Sequence, residues 1–203
     1  MEFRLTYAGR VHAHRDDKRL EDRSLRVHEI RREFHKQLRV LWDRHPVMGE
    51  VRQHGASVNL YVGGGAPPLN TIFRHDGFDW LPIATEANGL VCGLDVLMLR
   101  KGPPGRALFD IDNRLKTVFD ALRKARSPNE LGSGTSSGQV VPGPDETPFY
   151  VLLENDHLIT RVSVTADDLL ESVPDVPDED AVRLILTVSI RPYQVFIDTI
   201  GFA

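Results

Sequence analysis

The stretch FDIDNRLKTVFDAL, residues 109–122, places closely spaced acids ahead of a strongly periodic helical pattern. Its apolar residues recur at helical spacing and form one stripe, Leu115, Val118, Phe119 and Leu122. We predict a helix from about Asp112 to about Arg126 that packs this stripe inward. Asp112, Lys116 and Asp120 follow at intervals of four residues and so share another face. The helix is therefore predicted to have one core face and one polar, functional edge.

The segments around this helix indicate strands and a second helix. The predicted strands are Glu2–Ala8, Ser57–Val62, Gly89–Leu99, Tyr150–Leu153, Leu158–Val164 and Ala181–Ile190. Ser24 is a predicted N-cap for a helix that runs to about Asp43 and stops before Pro46. Residues 69–88 show no regular pattern, and residues 127–148, rich in Ser, Gly and Pro, are predicted to be a mobile loop. We predict an α/β (α+β) fold, a mixed sheet with two main helices packed on it, in one domain over residues 1–203.

Composition excludes several classes of protein. Of the 203 residues 41% are hydrophobic and 27% charged, which is typical of a soluble globular domain. The single cysteine, Cys92, excludes a disulfide framework and a thiolate zinc cluster, and we predict that it is a buried small hydrophobe. Trp42 and Trp80 are predicted to be packing residues. No apolar run approaches the roughly 20 residues of a membrane span, and no signal peptide is evident, so we expect a cytoplasmic location.

Charge is distributed unevenly along the chain. The total is −4, from 25 Lys or Arg and 29 Asp or Glu, yet residues 1–44 hold 12 basic and 8 acidic residues. This basic segment could present a cationic face to a nucleic-acid backbone, and Arg26 and Arg31 are candidates for that contact. The alternative interpretation is a solvated helix with ion pairs between residues four apart.

Two acidic elements predict a metal site. Asp110 and Asp112 lie two residues apart, and Glu154-Asn155-Asp156 lies between two apolar segments. Together they could form a three-carboxylate site for Mg²⁺, which prefers oxygen ligands. Lys116 could then stabilise a scissile phosphate. The alternative is a structural one: Asp112 caps its helix, and Asp112, Lys116 and Asp120 form a surface ion ladder.

The pattern Asp110-Ile111-Asp112-Asn113, Lys116 and Phe119-Asp120-Ala121-Leu122, followed by Asn155-Asp156, resembles the core motif of RusA-type Holliday-junction resolvases. The resemblance covers about residues 90–190, and residues 46–88 look like additional material. It implies a homodimeric nuclease that requires Mg²⁺ or Mn²⁺ and cuts branched DNA by paired nicks in recombination and repair. It assigns metal binding to Asp110, Asp112 and Asp156 and a catalytic role to Lys116, with Asn113, Asp120 and Glu154 in support. The expected DNA contacts are Arg100, Lys101, Arg106 and Arg114, beside Arg26 and Arg31.

The sequence leaves two alternatives open. One is a nuclease of the same fold that acts on another branched DNA, in a phage or defence role. The other is a metal-binding or DNA-binding module without catalysis, because Asn155 stands where the family often has an acid and the loop at 127–148 is long.

Overall fold

A computed structural model describes most of the chain. The described residues are 1–11, 20–46, 48–49, 69, 71–101, 111–132, 140–178, 180–194, 199 and 202. The predicted strand at 57–62 lies outside them, as do Asp110 and Arg106.

The elements form an α+β fold, which confirms the predicted class. The strands are β1 Glu2–Arg10, β2 Phe73–His75, β3 Phe78–Ala84, β4 Leu90–Arg100, β5 Phe149–Leu153, β6 Ile159–Asp168 and β7 Ala181–Pro192. The helices are α1 Leu20–Arg44 and α2 Ile111–Leu122, with short 3-10 helices at Pro128–Leu131 and Asp156–Leu158. Within the described residues, the strands form one sheet in the order β1-β7-β4-β6 and another in the order β2-β3-β5.

The four-stranded sheet is built on β7. This strand is antiparallel to both β1 and β4, and β6 lies parallel to β4 at the edge. Leu184, Leu186 and Val188 are fully buried and alternate with partly exposed neighbours, because successive side chains point to opposite faces of a sheet. One face of the sheet therefore lies on the core.

Helix α1 covers the core with one apolar face. The buried residues of this face are Val27, Ile30, Phe34, Leu38 and Trp42. The helix begins at Leu20, four residues before the predicted cap Ser24, which lies buried within it. It ends at Arg44, just before Pro46, as predicted. Among the described residues, neither helix has the length and apolarity to cross a bilayer.

The prediction of irregular structure for residues 69–88 is wrong, because β2 and β3 lie there. The two strands form a hairpin whose turn, Asp76-Gly77, has positive φ at both residues. Strand β3 is buried along most of its length and pairs in parallel with β5. Its sequence therefore shows no alternation of apolar and polar residues. Pro82 also argues against a strand, because proline is rare inside sheets. Trp80 lies in this strand and is buried, as are Trp42 and Cys92, which confirms those predictions.

The segment predicted as a mobile loop is in part attached to α1. Pro128–Leu131 forms a 3-10 helix, and residues 140–148 run back along α1. Arg32 pairs with Glu146 at 2.8 Å and Arg39 with Asp145 at 3.1 Å. Part of the basic surface expected from the N-terminal segment is thus neutralised inside the chain.

His28 on α1 makes the stability of the fold depend on pH. Its ring packs against Phe78 and Phe149, and its Nδ1 accepts a hydrogen bond from Arg31, so the ring proton is on Nε2. Burial, with help from the charges of Arg31 and Arg32, lowers the pKa of His28 to about 2. In the unfolded chain this histidine has a pKa of about 6.5. As pH falls below that value, the unfolded chain binds a proton at this residue and the folded chain does not, so protonation favours unfolding.

We therefore expect the free energy of unfolding, measured by urea denaturation, to fall steadily from about pH 6.5 downward. His28→Phe keeps the ring but cannot be protonated, so its stability should fall less steeply over that window. A part of the slope should persist, because burial also lowers the pKa of His35. An unchanged slope in His28→Phe would contradict the assignment.

Candidate active site

The amino-terminal half of α2 presents the predicted polar edge to solvent. Asp112 lies in the first turn of the helix and Lys116 one turn later, and both are exposed. Neither side chain has a hydrogen-bond or ion-pair partner within the part of the chain that the structure describes. The helix begins at Ile111, so Asp112 stands inside its first turn and does not cap it. Its negative charge there is favoured by the positive end of the helix dipole.

The opposite side of α2 packs inward as predicted. Val118 and Leu122 are buried, while Leu115 and Phe119 are partly buried against the same core. The helix ends at Leu122 and not at Arg126. Beyond that point Arg123 forms a parallel bridge to Leu153 in β5, so the chain continues as an extended segment along the second sheet.

The alternative of a surface ion ladder along α2 is wrong, because Asp120 is engaged elsewhere. Its two carboxylate oxygens contact Arg123 at 2.6 Å and Arg23 at 3.3 Å. Arg123 is almost fully buried and also binds Glu130 with two hydrogen bonds. Asp120 therefore joins α2 to α1.

The second acidic element follows directly on β5. Glu154 donates its backbone N–H to the carbonyl of Ala84, and its side chain accepts from the backbone of Glu86 at 3.2 Å. Asn155 caps the 3-10 helix that begins at Asp156, since its side-chain oxygen accepts from the Asp156 amide at 2.9 Å. The side chain of Glu154 is thus held beside the turn that follows β3, and Asn155 has a local structural role.

Asp156 is held by an arginine that the sequence analysis did not single out. Arg126 lies four residues after the end of α2 and donates to the Asp156 carboxylate at 2.7 Å and to the side-chain oxygen of Asn155. Both charged partners are about half exposed, so the pair is accessible to an incoming ligand. The signal for Arg126 was the run Arg123-Lys-Ala-Arg126, which the sequence analysis assigned to the last turn of the helix.

The carboxylates of the candidate site are chemically suited to bind a hard divalent cation. Asp112 and Asp156 both offer accessible carboxylate oxygens, the ligands that Mg²⁺ prefers. Within the described ranges, no three His, Cys, Asp or Glu side chains converge as a metal site would require. Asp110 lies outside those ranges, so the three-carboxylate site remains a prediction.

The residues expected to contact DNA have different environments. The assignment of Arg31 is wrong: its guanidinium is buried and donates to the backbone carbonyls of Asp120 and Arg123. Arg114 donates to the carbonyl of Val11, and Lys101 lies 3.9 Å from Asp178. Arg26 and Arg100 are partly exposed. Arg26, Arg100 and Lys101 remain candidates for a phosphate contact.

Comparison of the chain with models of protein families, with curated proteins and with solved structures finds no match.

Proposed function

We propose that the protein is a Mg²⁺- or Mn²⁺-dependent, structure-specific DNA endonuclease, similar to RusA-type resolvases, that cuts Holliday junctions by paired nicks. One observation carries the proposal: Asp112 and Lys116, both exposed and both without a partner in the described residues, lie one turn apart on the same face of α2. A carboxylate and an ammonium group in that arrangement are available to a ligand, and the family motif has its metal ligand and its lysine at these positions.

In this proposal, the metal is held by Asp112 together with Asp110 and Asp156. When bound, it supplies an activated water and neutralises charge on the scissile phosphate. Lys116 donates to a phosphate oxygen and stabilises the negative charge that grows there as the phosphorus is attacked. The amino-terminal end of α2 adds a partial positive charge in the same region.

A homodimer suits this chemistry. Two copies related by a two-fold axis would present equivalent sites to opposite strands of a symmetric junction. Arg26, Arg100 and Lys101 would bind the DNA backbone, and their contacts would position the junction without reading its sequence.

Two observations favour a second candidate, a DNA-binding or metal-binding module without catalysis. Asn155 stands at a position where an acid is expected, and Asp156 is already paired with Arg126. A nuclease of the same fold that prefers another branched DNA is the third possibility, since these residues do not distinguish a junction from a flap.

The test is an incubation of the protein with four-way junction, flap, duplex and single-stranded DNA, each with Mg²⁺, with Mn²⁺ and with EDTA. We expect cleavage of the four-way junction with either metal and none with EDTA. Metal-dependent cleavage of flaps alone would favour the third possibility. Binding of branched DNA with no cleavage of any substrate would favour the non-catalytic module.

A further inference from the structure

A cavity between α1, α2 and the 3-10 helix Pro128–Leu131 lies outside the proposed active site. Its volume is about 180 Å³, and the described residues that line it are Arg23, Ser24, Val27, Arg31, Asp120 and Glu130. Four of these six residues are charged, and buried charges are costly unless they are paired and hydrogen-bonded. We propose that this cavity binds a phosphate-type oxyanion, either free or as part of a DNA backbone.

The charged cluster at the cavity is unbalanced. Arg23 and Arg31 line the cavity with Asp120 and Glu130, and Arg123, which is outside the lining, binds both carboxylates, so in the described residues three arginines meet two carboxylates. The carboxylate oxygens are all occupied. Asp120 binds Arg123 and Arg23, while Glu130 binds Arg123 and the backbone N–H of Arg126. Of the three arginines, Arg23 and Arg123 form these direct ion pairs and Arg31 does not.

Arg31 is completely buried and forms no direct ion pair with a carboxylate among the described residues. Three of its N–H groups donate, to the carbonyl of Arg123 at 2.9 Å, to the carbonyl of Asp120 at 2.7 Å and to the ring of His28 at 3.2 Å. A guanidinium has five N–H donors, so two have no partner among the described residues. Burial of this group lowers its pKa to about 10, and the charge of Arg123 acts in the same direction, while the charges of Glu130 and Asp120 oppose the shift.

An oxyanion would correct this imbalance. Phosphate carries the opposite charge, accepts several hydrogen bonds and matches the planar fork of a guanidinium. Two lining side chains, Arg23 and Glu130, are partly exposed, at 19% and 31%, and an incoming anion should contact the cation Arg23 first. Asp120 lies one helical turn, about 6 Å, beyond Lys116 along α2, which brings the cavity close to the candidate active site.

The probe is inorganic phosphate, with chloride at equal ionic strength as the reference. Phosphate should raise the melting temperature in a saturable way, by about 5–10 °C at a concentration a hundredfold above its dissociation constant. Phosphorus NMR of the added phosphate gives the dissociation constant directly. Because this measurement does not depend on the stability of each variant, it separates binding from folding.

Two substitutions at the cavity should act in opposite directions. Arg23→Gln removes a cation from the entrance and should weaken phosphate binding about tenfold, and Arg23→Lys should restore part of that loss. Asp120→Asn removes a carboxylate from the lining and should strengthen binding. Arg44→Gln, on the exposed end of the same helix, is the matched control and should leave phosphate binding unchanged.

Competition between phosphate and DNA shows whether the cavity binds free phosphate or a phosphate of the DNA backbone. Displacement of phosphate by metal-free branched DNA, with weaker DNA binding by Arg23→Gln, would assign the cavity to a backbone phosphate; no displacement would assign it to free phosphate. The proposal is overturned if phosphate stabilises no more than chloride, if Arg23→Gln and Arg44→Gln bind phosphate equally, or if Asp120→Asn binds it more weakly. None of these outcomes requires DNA cleavage, so they are independent of the nuclease proposal.

Discussion

Replacing Asp112 with asparagine should lower the rate of metal-dependent DNA cleavage by about 10²–10³-fold, the usual cost of removing one electrostatic partner of a transition state. The physical reason is the loss of a negative charge that holds the metal. The side chain is exposed and has no partner in the described residues, so the fold should not change. The measurement is a single-turnover cleavage rate on four-way junction DNA at saturating Mg²⁺.

Asp175→Asn is the matched control for this substitution. Asp175 is exposed in a turn with a φ of 61°, a conformation that asparagine also tolerates. This variant should cleave at the wild-type rate. Junction binding in EDTA should be nearly the same for Asp112→Asn and for wild type, because the lost charge is used on the metal. Cleavage by Asp112→Asn at the wild-type rate would remove this residue from the site.

Replacing Arg123 with methionine should reduce the free energy of unfolding by about 3–5 kcal/mol, because it leaves two partly buried carboxylates without their shared cation. The Arg123 side chain is only 3% exposed and bridges Asp120 to Glu130. We expect the lower end of the range, since Glu130 is 31% exposed and Asp120 retains Arg23. Urea denaturation at pH 7 measures the difference.

Lys36→Met is the control for Arg123→Met. Its ion pair with Glu33 is on the surface and should contribute no more than about 1 kcal/mol. The pH dependence gives a second test. Burial pushes the pKa of Glu130 upward, but the hydrogen bonds from Arg123 and from the Arg126 amide hold it below 4.5. That stabilisation is present above pH 4.5 and is lost as pH falls through the folded-state pKa, so the deficit of Arg123→Met should shrink below pH 4.5.

Elements with clear periodicity were predictable. The alternation of β7 and the apolar stripe of α2 both lie as the sequence indicates, because each pattern reports which side of an element faces the core. Strand β3 was not predictable, because burial on both faces removes the alternation. The attachment of residues 140–148 to α1 depends on ion pairs between residues more than 100 positions apart. It was not predictable, because a local sequence pattern carries no information about such distant contacts.

The candidate site was predictable in part. The exposure of Asp112 and Lys116 follows from their helical spacing relative to the apolar stripe. The burial of Arg31 did not follow, because arginine on a helix is usually exposed. Its position is explained by contacts that the sequence does not reveal: the backbone carbonyls of Asp120 and Arg123, the ring of His28 and the ring of Trp80. Arg126 was missed because the end of α2 was placed four residues too late.

The strand order β1-β7-β4-β6 has a consequence for the synthesis of the protein. Strand β7 separates β1 from β4 in space, but it is the last of these four strands to leave the ribosome. A nascent chain that has not yet reached Ala181 holds β1 and β4 with no strand between them. The larger sheet can therefore close only late in synthesis, and contacts between positions so distant in the chain form slowly. We expect a ribosome-bound chain that stops before β7 to require protection from aggregation.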